Sequence, residues 1–119
     1  MQSKDISETP GRVNVHGGYS LEQGLASVGE GWHDLVRGFF QACEDAGVAV
    51  TQVKEKFGGL RIYTDGSPEY IWDLANELEA RSYKTCEDCG KHGKPRAGGW
   101  VRTLCNEHAE GRLKANLFR

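Results

Sequence analysis

Apolar positions along the chain change period twice. From Trp32 they fall at Trp32, Leu35, Val36, Phe39, Phe40 and Cys43, steps of three and four that share one face of a helix. Gly47 follows at the place where helices commonly end in the left-handed conformation. The spacing predicts a helix over 31–46, with Cys43 on its buried stripe as a small core side chain. The period then shortens. The β-branched run from Val48 leads through Lys54-Glu55-Lys56-Phe57 to Gly58-Gly59 and then to Leu60-Arg61-Ile62-Tyr63, a hairpin over 48–64.

A Gly-Gly pair supplies the positive φ angles of a two-residue turn. That register sets Phe57 opposite Leu60, Glu55 opposite Ile62 and Val53 opposite Thr64, one largely apolar face that would pack on the Trp32 helix. The other face carries Lys56 opposite Arg61 and Lys54 opposite Tyr63. Like charges directly opposed destabilise a pair, so an acid or an anionic partner is expected between Lys56 and Arg61. Glu55 is the odd residue on the apolar face, either wet at the sheet edge or buried against a base.

A second helix is expected over 67–82, with Ser67 as N-cap, Pro68 at the first helical position and Glu69 and Asp73 suiting the dipole. Ile71, Leu74, Ala75 and Leu78 form its buried stripe. Before these elements, residues 1–19 are Gly-rich and aperiodic, a loose arm. Ser20 and Gln23 have the spacing of a capping box.

Helix, hairpin and helix deliver the chain to Cys86-x2-Cys89, fifteen intervening residues, and Cys105-x2-His108. Zinc takes four sulfur or imidazole ligands tetrahedrally, and a fully protein-ligated site is structural because no position is left for water. Cys86, Cys89, Cys105 and His108 are therefore the candidate ligands of one structural Zn²⁺. His92, three residues past Cys89, competes for the fourth place with poorer spacing. Between the pairs lies a Pro-Arg-Ala-Gly-Gly turn and a short strand from Trp100 to Leu104. After Cys105 the sequence turns helical, with Ala109, Leu113 and Leu117 four apart. A knuckle, a hairpin and a helix that brings the last two ligands are the parts of a treble-clef finger. The expected fold is α+β: a loose arm over 1–19, a core over 20–83 and a finger over 84–119. Trp100 is expected to pack between finger and helices.

Composition narrows the function. A chain of 119 residues fits one domain with a small core, for which a metal cross-link helps. No apolar run nears the ~20 residues that span a bilayer, and the first residues lack a signal peptide's pattern, so a cytoplasmic, metal-binding protein without a membrane partner is expected. The net charge of −2 hides an asymmetry: residues 1–79 carry 6 Lys/Arg and 13 Asp/Glu, a balance of −7, and residues 80–119 carry 9 and 4, a balance of +5. Part of the basic excess (Lys84, Lys91, Lys94, Arg96, Arg102) would compensate a zinc site of three thiolates. Phosphate and nucleotide-cradling motifs and the Gly-x-Ser-x-Gly elbow are absent. His33 sits off the apolar stripe, a solvated histidine, and His16 has no identifiable partner.

The segments Val53–Tyr63 and Thr85–His108, with the Gly-Trp that opens the first helix, resemble a family of small proteins from bacteria, prophages and phages. That resemblance covers roughly 29–110 and implies zinc at Cys86, Cys89, Cys105 and His108. It carries no activity; a phage or mobile-element origin, with action in the host cytoplasm, follows from it. The leading expectation is a non-enzymatic protein-binding module, a modulator of a host complex, showing an exposed apolar or acidic patch in the −7 half. The alternative is nucleic-acid binding through Lys54, Lys56, Arg61 and Tyr63 with Arg96 and Arg102. A zinc-supported hydrolase using His16 or His33 with Glu55 is third.

Overall fold

A computed structural model of the chain describes residues 18–117; residues 1–17, which hold most of the expected arm and His16, lie outside them. The expected α+β class is what forms. In order come α1 (Leu21–Ala26), a 3-10 turn (Glu30–Trp32), α2 (His33–Ala46), β1 (Val50–Lys56), β2 (Gly59–Thr64), α3 (Glu69–Ser82), β3 (Lys94–Arg96), β4 (Arg102–Leu104) and α4 (Asn106–Leu117). The two antiparallel hairpins β1–β2 and β3–β4 form separate two-stranded sheets.

The capping box forms: Gln23 N–H donates to Ser20 Oγ (3.1 Å) while Ser20 N–H donates to Gln23 Oε1 (2.8 Å). The chain is engaged earlier than expected, because Tyr19 N–H donates to the Val50 carbonyl at 2.6 Å. Helix α2 follows the predicted stripe. Trp32, Leu35, Val36, Phe39 and Cys43 are buried and Phe40 is half-buried, although Trp32 itself stands in the 3-10 turn before the helix. Gly47 ends it at φ 72°, and Val48 N–H reaches back to the Cys43 carbonyl at 2.8 Å, the bond pattern of a Schellman motif.

The first hairpin forms with a different register. Val53 faces Ile62, Lys54 faces Arg61, Glu55 faces Leu60 and Lys56 faces Gly59. The turn residues are therefore Phe57 and Gly58, at φ 53° and 81°, and Phe57 projects into solvent instead of facing Leu60. Tertiary contact explains the shift. A Cβ on Gly59 would lie 2.4 Å from Tyr83 Oη, so the second glycine is needed as a floor for Tyr83 rather than as a turn residue. The Gly58 carbonyl is taken by Thr103 Oγ1 at 2.6 Å. Val53, Leu60 and Ile62 still point into the core with α2, joined by Ile71 and Leu78 of α3.

Helix α3 begins at Glu69, with Pro68 as N-cap and no side-chain cap; Ser67 Oγ instead meets Thr64 Oγ1 at 2.7 Å. Its C-terminal end seals the edge of β2, where Leu60 N–H donates to the buried Ser82 Oγ (2.9 Å). The stripe expected along α4 is not covered: Ala109 packs beside Leu104 and the cysteines, Leu113 is exposed, and the side chain of Leu117 lies outside the described residues.

Candidate metal centre

Helix α3 hands the chain directly to the first ligand pair. Thr85 bridges His92 in antiparallel fashion, Cys86 N–H donates to the Lys91 carbonyl (2.7 Å) and Gly90 N–H to the Cys86 carbonyl (2.9 Å). Gly90 closes this knuckle at φ 84°, a conformation glycine adopts without penalty. The β3–β4 hairpin then sets Lys94 opposite Leu104 and Arg96 opposite Arg102. Cys105 precedes α4, and Ala109 N–H to the Cys105 carbonyl (2.9 Å) forms its first turn, which places His108 beside Cys105.

The ligand atoms of Cys86, Cys89, Cys105 and His108 all lie within 4.8 Å of one another. Cys89 Sγ and Cys105 Sγ are 3.8 Å apart, and His108 Nδ1 is 3.6 Å from Cys86 Sγ and 3.2 Å from Cys105 Sγ. A tetrahedral ion with Zn–S of about 2.3 Å and Zn–N of about 2.0 Å requires S···S of roughly 3.8 Å and S···N of roughly 3.5 Å. The group is thus positioned to bind one metal ion, with Nδ1 as the imidazole ligand. His92 is exposed and outside the group. Cys105 is the acidic thiol, pulled down to about 6 by the His108 backbone amide and then by the His108 ring, which is raised in turn by Cys105. Such a thiol is readily deprotonated for a metal.

Sequence reasoning missed how the centre is fastened to the rest of the protein. Gly31 N–H donates to the Glu87 carbonyl (2.8 Å), and the fully buried Trp32 donates through Nε1 to the Thr85 carbonyl (2.8 Å). A Cβ on Gly31 would stand 1.9 Å from the Cys86 carbonyl oxygen, and one on Gly29 2.3 Å from that of Glu87. Gly29-Glu30-Gly31-Trp32 is therefore the seat of the knuckle. Trp100, expected to be the fastener, is 70% exposed; its place is taken by Trp32 and by Thr103. Glu87 was also missed. It is 4% exposed, its Oε2 accepts from Thr103 N–H at 2.8 Å, and its Oε1 lies 3.4 Å from Arg102 Nε. Burial pushes its carboxyl up, against the Thr103 hydrogen bond and the Arg102 charge. Nothing in Cys-Glu-Asp-Cys marks this glutamate as buried.

The basic candidates divide. Arg61 pairs with Glu79 (3.3 Å) and reaches Tyr83 Oη (3.4 Å), so the acid expected near it comes from α3, and Arg61 faces Lys54 rather than Lys56. Arg102 is held by Glu87 and Asp88 (2.8 Å to Oδ1), and Arg96 by the Leu104 carbonyl and Asn106 Oδ1. Arg102 thus neutralises buried and neighbouring carboxylates. Lys54 lies over the Tyr63 ring (5.7 Å) and Lys56 over Phe57 (5.8 Å). Glu55 is half-buried and, among the described residues, makes no ion pair; its Oε2 accepts from Gly58 N–H (2.7 Å) and its Oε1 from Trp100 Nε1 (3.4 Å). His33 is half-buried rather than solvated, with Nε2 2.8 Å from the Leu25 carbonyl, so it joins α1 to α2. Among the described residues no helix is long and apolar enough to cross a membrane. In comparisons with family models, curated proteins and solved structures, the chain matches none.

Proposed function

We propose that the chain is a non-enzymatic, zinc-stabilised protein-binding module that contacts its partner through the outer face of α3. Tyr70 and Trp72 carry this reading, at 61% and 62% exposed on a helix whose inner stripe is fully engaged. They stand among exposed Glu69, Asp73 and Glu77 in the acidic half of the chain. Exposed tryptophan and tyrosine are the residues most enriched where proteins bind one another, and a packed helix holds them rigid. Zinc is the metal favoured by three thiolates and an imidazole at tetrahedral spacing. The order of knuckle, hairpin and helix supports a treble-clef-like finger, whose role is to hold the fold. The resemblance to small bacterial and phage proteins supports a mobile-element origin, which makes a complex in the host cytoplasm the natural target.

The arginine-dependent nucleic-acid alternative draws less support, because Arg61, Arg96 and Arg102 are spent on internal contacts. The test is a pull-down from bacterial lysate with the zinc-loaded protein and with its Tyr70→Ala/Trp72→Ala variant, followed by identification of the captured proteins. A protein retained by the native chain and lost with the variant is expected; identical captures refute α3 as the contact surface.

A further inference from the structure

A second surface lies where the tip of the first hairpin meets the finger. Phe57 holds φ 53° and is 68% exposed. Aromatic residues rarely adopt that conformation, and an exposed one receives no compensation from packing. The position favours Gly, Asn or Asp, so the ring is displayed at the expense of stability. Trp100, equally exposed, is pinned beside the same turn. Its Nε1 donates to Glu55, whose other oxygen accepts from Gly58 N–H, and its carbonyl accepts from Arg112 Nη2 of α4. Thr103 Oγ1 ties the turn to β4. The Trp100 indole is thus held beside the turn whose backbone displays the Phe57 ring.

Their surroundings indicate what they meet. Paired and alternate positions of a hairpin share a face, so Lys54, Lys56 and Tyr63 lie on one side of β1–β2. Each lysine stands over an aromatic ring, and among the described residues neither has a carboxylate partner. Tyr63 is itself exposed. From Tyr63 and Lys54 through Lys56 to Phe57 and over the tip to Trp100, two lysines lie between aromatic rings, while Arg61, opposite Lys54, is already paired with Glu79. Glu55, the carboxylate at the junction, has both oxygens occupied. Among the described residues the large exposed hydrophobic side chains beside the turn are these aromatic rings; Val101, next to Gly58, is half-buried, and the exposed Leu113 belongs to α4.

We infer that the hairpin tip and Trp100 bind a short single-stranded nucleic acid, bases stacking on Phe57, Trp100 and Tyr63 and phosphates meeting Lys54 and Lys56. Stacking on aromatics with backbone contacts to cations is the sequence-tolerant mode of single-strand binding. This site is separate from the α3 face and does not depend on its role.

Fluorescence anisotropy of 5′-labelled oligo(dT) of 12 nucleotides, with the zinc-loaded full chain, tests it. Two phosphate contacts give a log–log salt slope of about −1.4, so a fourfold rise in salt should weaken binding about sevenfold. Phe57→Gly should cut affinity about tenfold while leaving the melting temperature unchanged or higher, since glycine adopts this φ freely. Trp100→Ala should cut it similarly, and Tyr70→Ala/Trp72→Ala should leave it unchanged. Absence of binding at 50 mM salt overturns the inference, as does binding indifferent to Phe57→Gly and Trp100→Ala. If poly-glutamate displaces the oligonucleotide with equal affinity, the surface is an acidic-peptide site and the inference is likewise wrong.

Discussion

Gly31 and Gly38 stand seven residues apart, one beneath the Cys86–Gly90 knuckle and the other on the open side of α2, and alanine at each should move stability in opposite directions. At Gly38 a Cβ would meet nothing within 4 Å. In a helix interior that substitution is worth about 0.4–1 kcal/mol of stabilisation. At Gly31 the backbone is not in the left-handed region, so the cost is steric alone. The new Cβ would fall 1.9 Å from the Cys86 carbonyl oxygen, 2.6 Å from Gly90 N and 2.8 Å from the Glu87 carbonyl carbon. All three are backbone atoms of the knuckle, and none can swing aside as a side chain would. The knuckle must lift, at about 1–3 kcal/mol for overpacking. It takes with it the Gly31–Glu87 hydrogen bond, about 1 kcal/mol, and strains the Trp32–Thr85 bond, whose loss leaves a buried indole N–H unpaired. The expected total is about 3–5 kcal/mol. Guanidinium unfolding of metal-saturated Gly31→Ala, Gly38→Ala and native protein measures both signs, and competition with a chromogenic chelator measures the metal. Gly31→Ala should also hold zinc more weakly although every ligand is intact. Stability within about 0.5 kcal/mol of native, or unchanged metal affinity, would refute the view that this glycine seats the centre.

Three further outcomes follow from the same contacts. Ellman titration near pH 8 should find no reactive thiol in the zinc-loaded protein, three after chelation and the fourth only in denaturant, because Cys43 is 1% exposed and burial raises its thiol to about 11; four thiols after chelation alone would contradict its core position. The folded state holds that proton above the ordinary value of 9.0, so its contribution is complete below pH 9. Stability should then fall as pH rises towards 11, by at most about 1.4 kcal/mol per pH unit, and Cys43→Ala should flatten this limb in urea melts taken from pH 8 to 11. Thr103→Val should cost about 1–3 kcal/mol by leaving the Gly58 carbonyl without its 2.6 Å donor, whereas Thr103→Ser, which keeps the hydroxyl, should recover most of it in the same thermal melts.

The parts of this fold legible in the sequence are those governed by local rules. The period of α2, its Gly47 stop and the Ser20–Gln23 cap depend on neighbours within a few residues, and each forms as the pattern implies. The errors lie where a distant contact chose between local options. Gly58-Gly59 is a sound turn pair, but Tyr83, twenty-four residues on, requires the bare Gly59, and the turn moves to Phe57-Gly58. Trp100 and Trp32 are both apolar in sequence, and only the assembled molecule shows which of them is buried. Arg61, Arg96 and Arg102 read as a basic surface until Glu79, Glu87, Asp88 and Asn106 are brought to them. Glu87 was hardest to foresee, because its partners Thr103 and Arg102 arrive from the other arm of the finger.

That seating changes how the metal relates to the core. A finger joined only by its own chain could lose its ion and unravel while α2 stayed intact. Here Thr85, the residue before the first ligand, accepts the hydrogen bond of Trp32, and Glu87, the residue after it, accepts that of Gly31. Both donors open the helix on which Leu35, Val36 and Phe39 build the main core. Thr103 makes the same kind of tie on the opposite side, from β4 to the hairpin turn that displays Phe57. Release of a bound ion would therefore be expected to reach the start of α2 through two hydrogen bonds and the turn at Phe57 through a third. Outer α3 is the surface least affected, since Tyr70 and Trp72 sit at the end of their helix away from Cys86. Metal loading should thus affect the hairpin tip more than the outer face of α3, a difference that hydrogen exchange with and without chelator would measure.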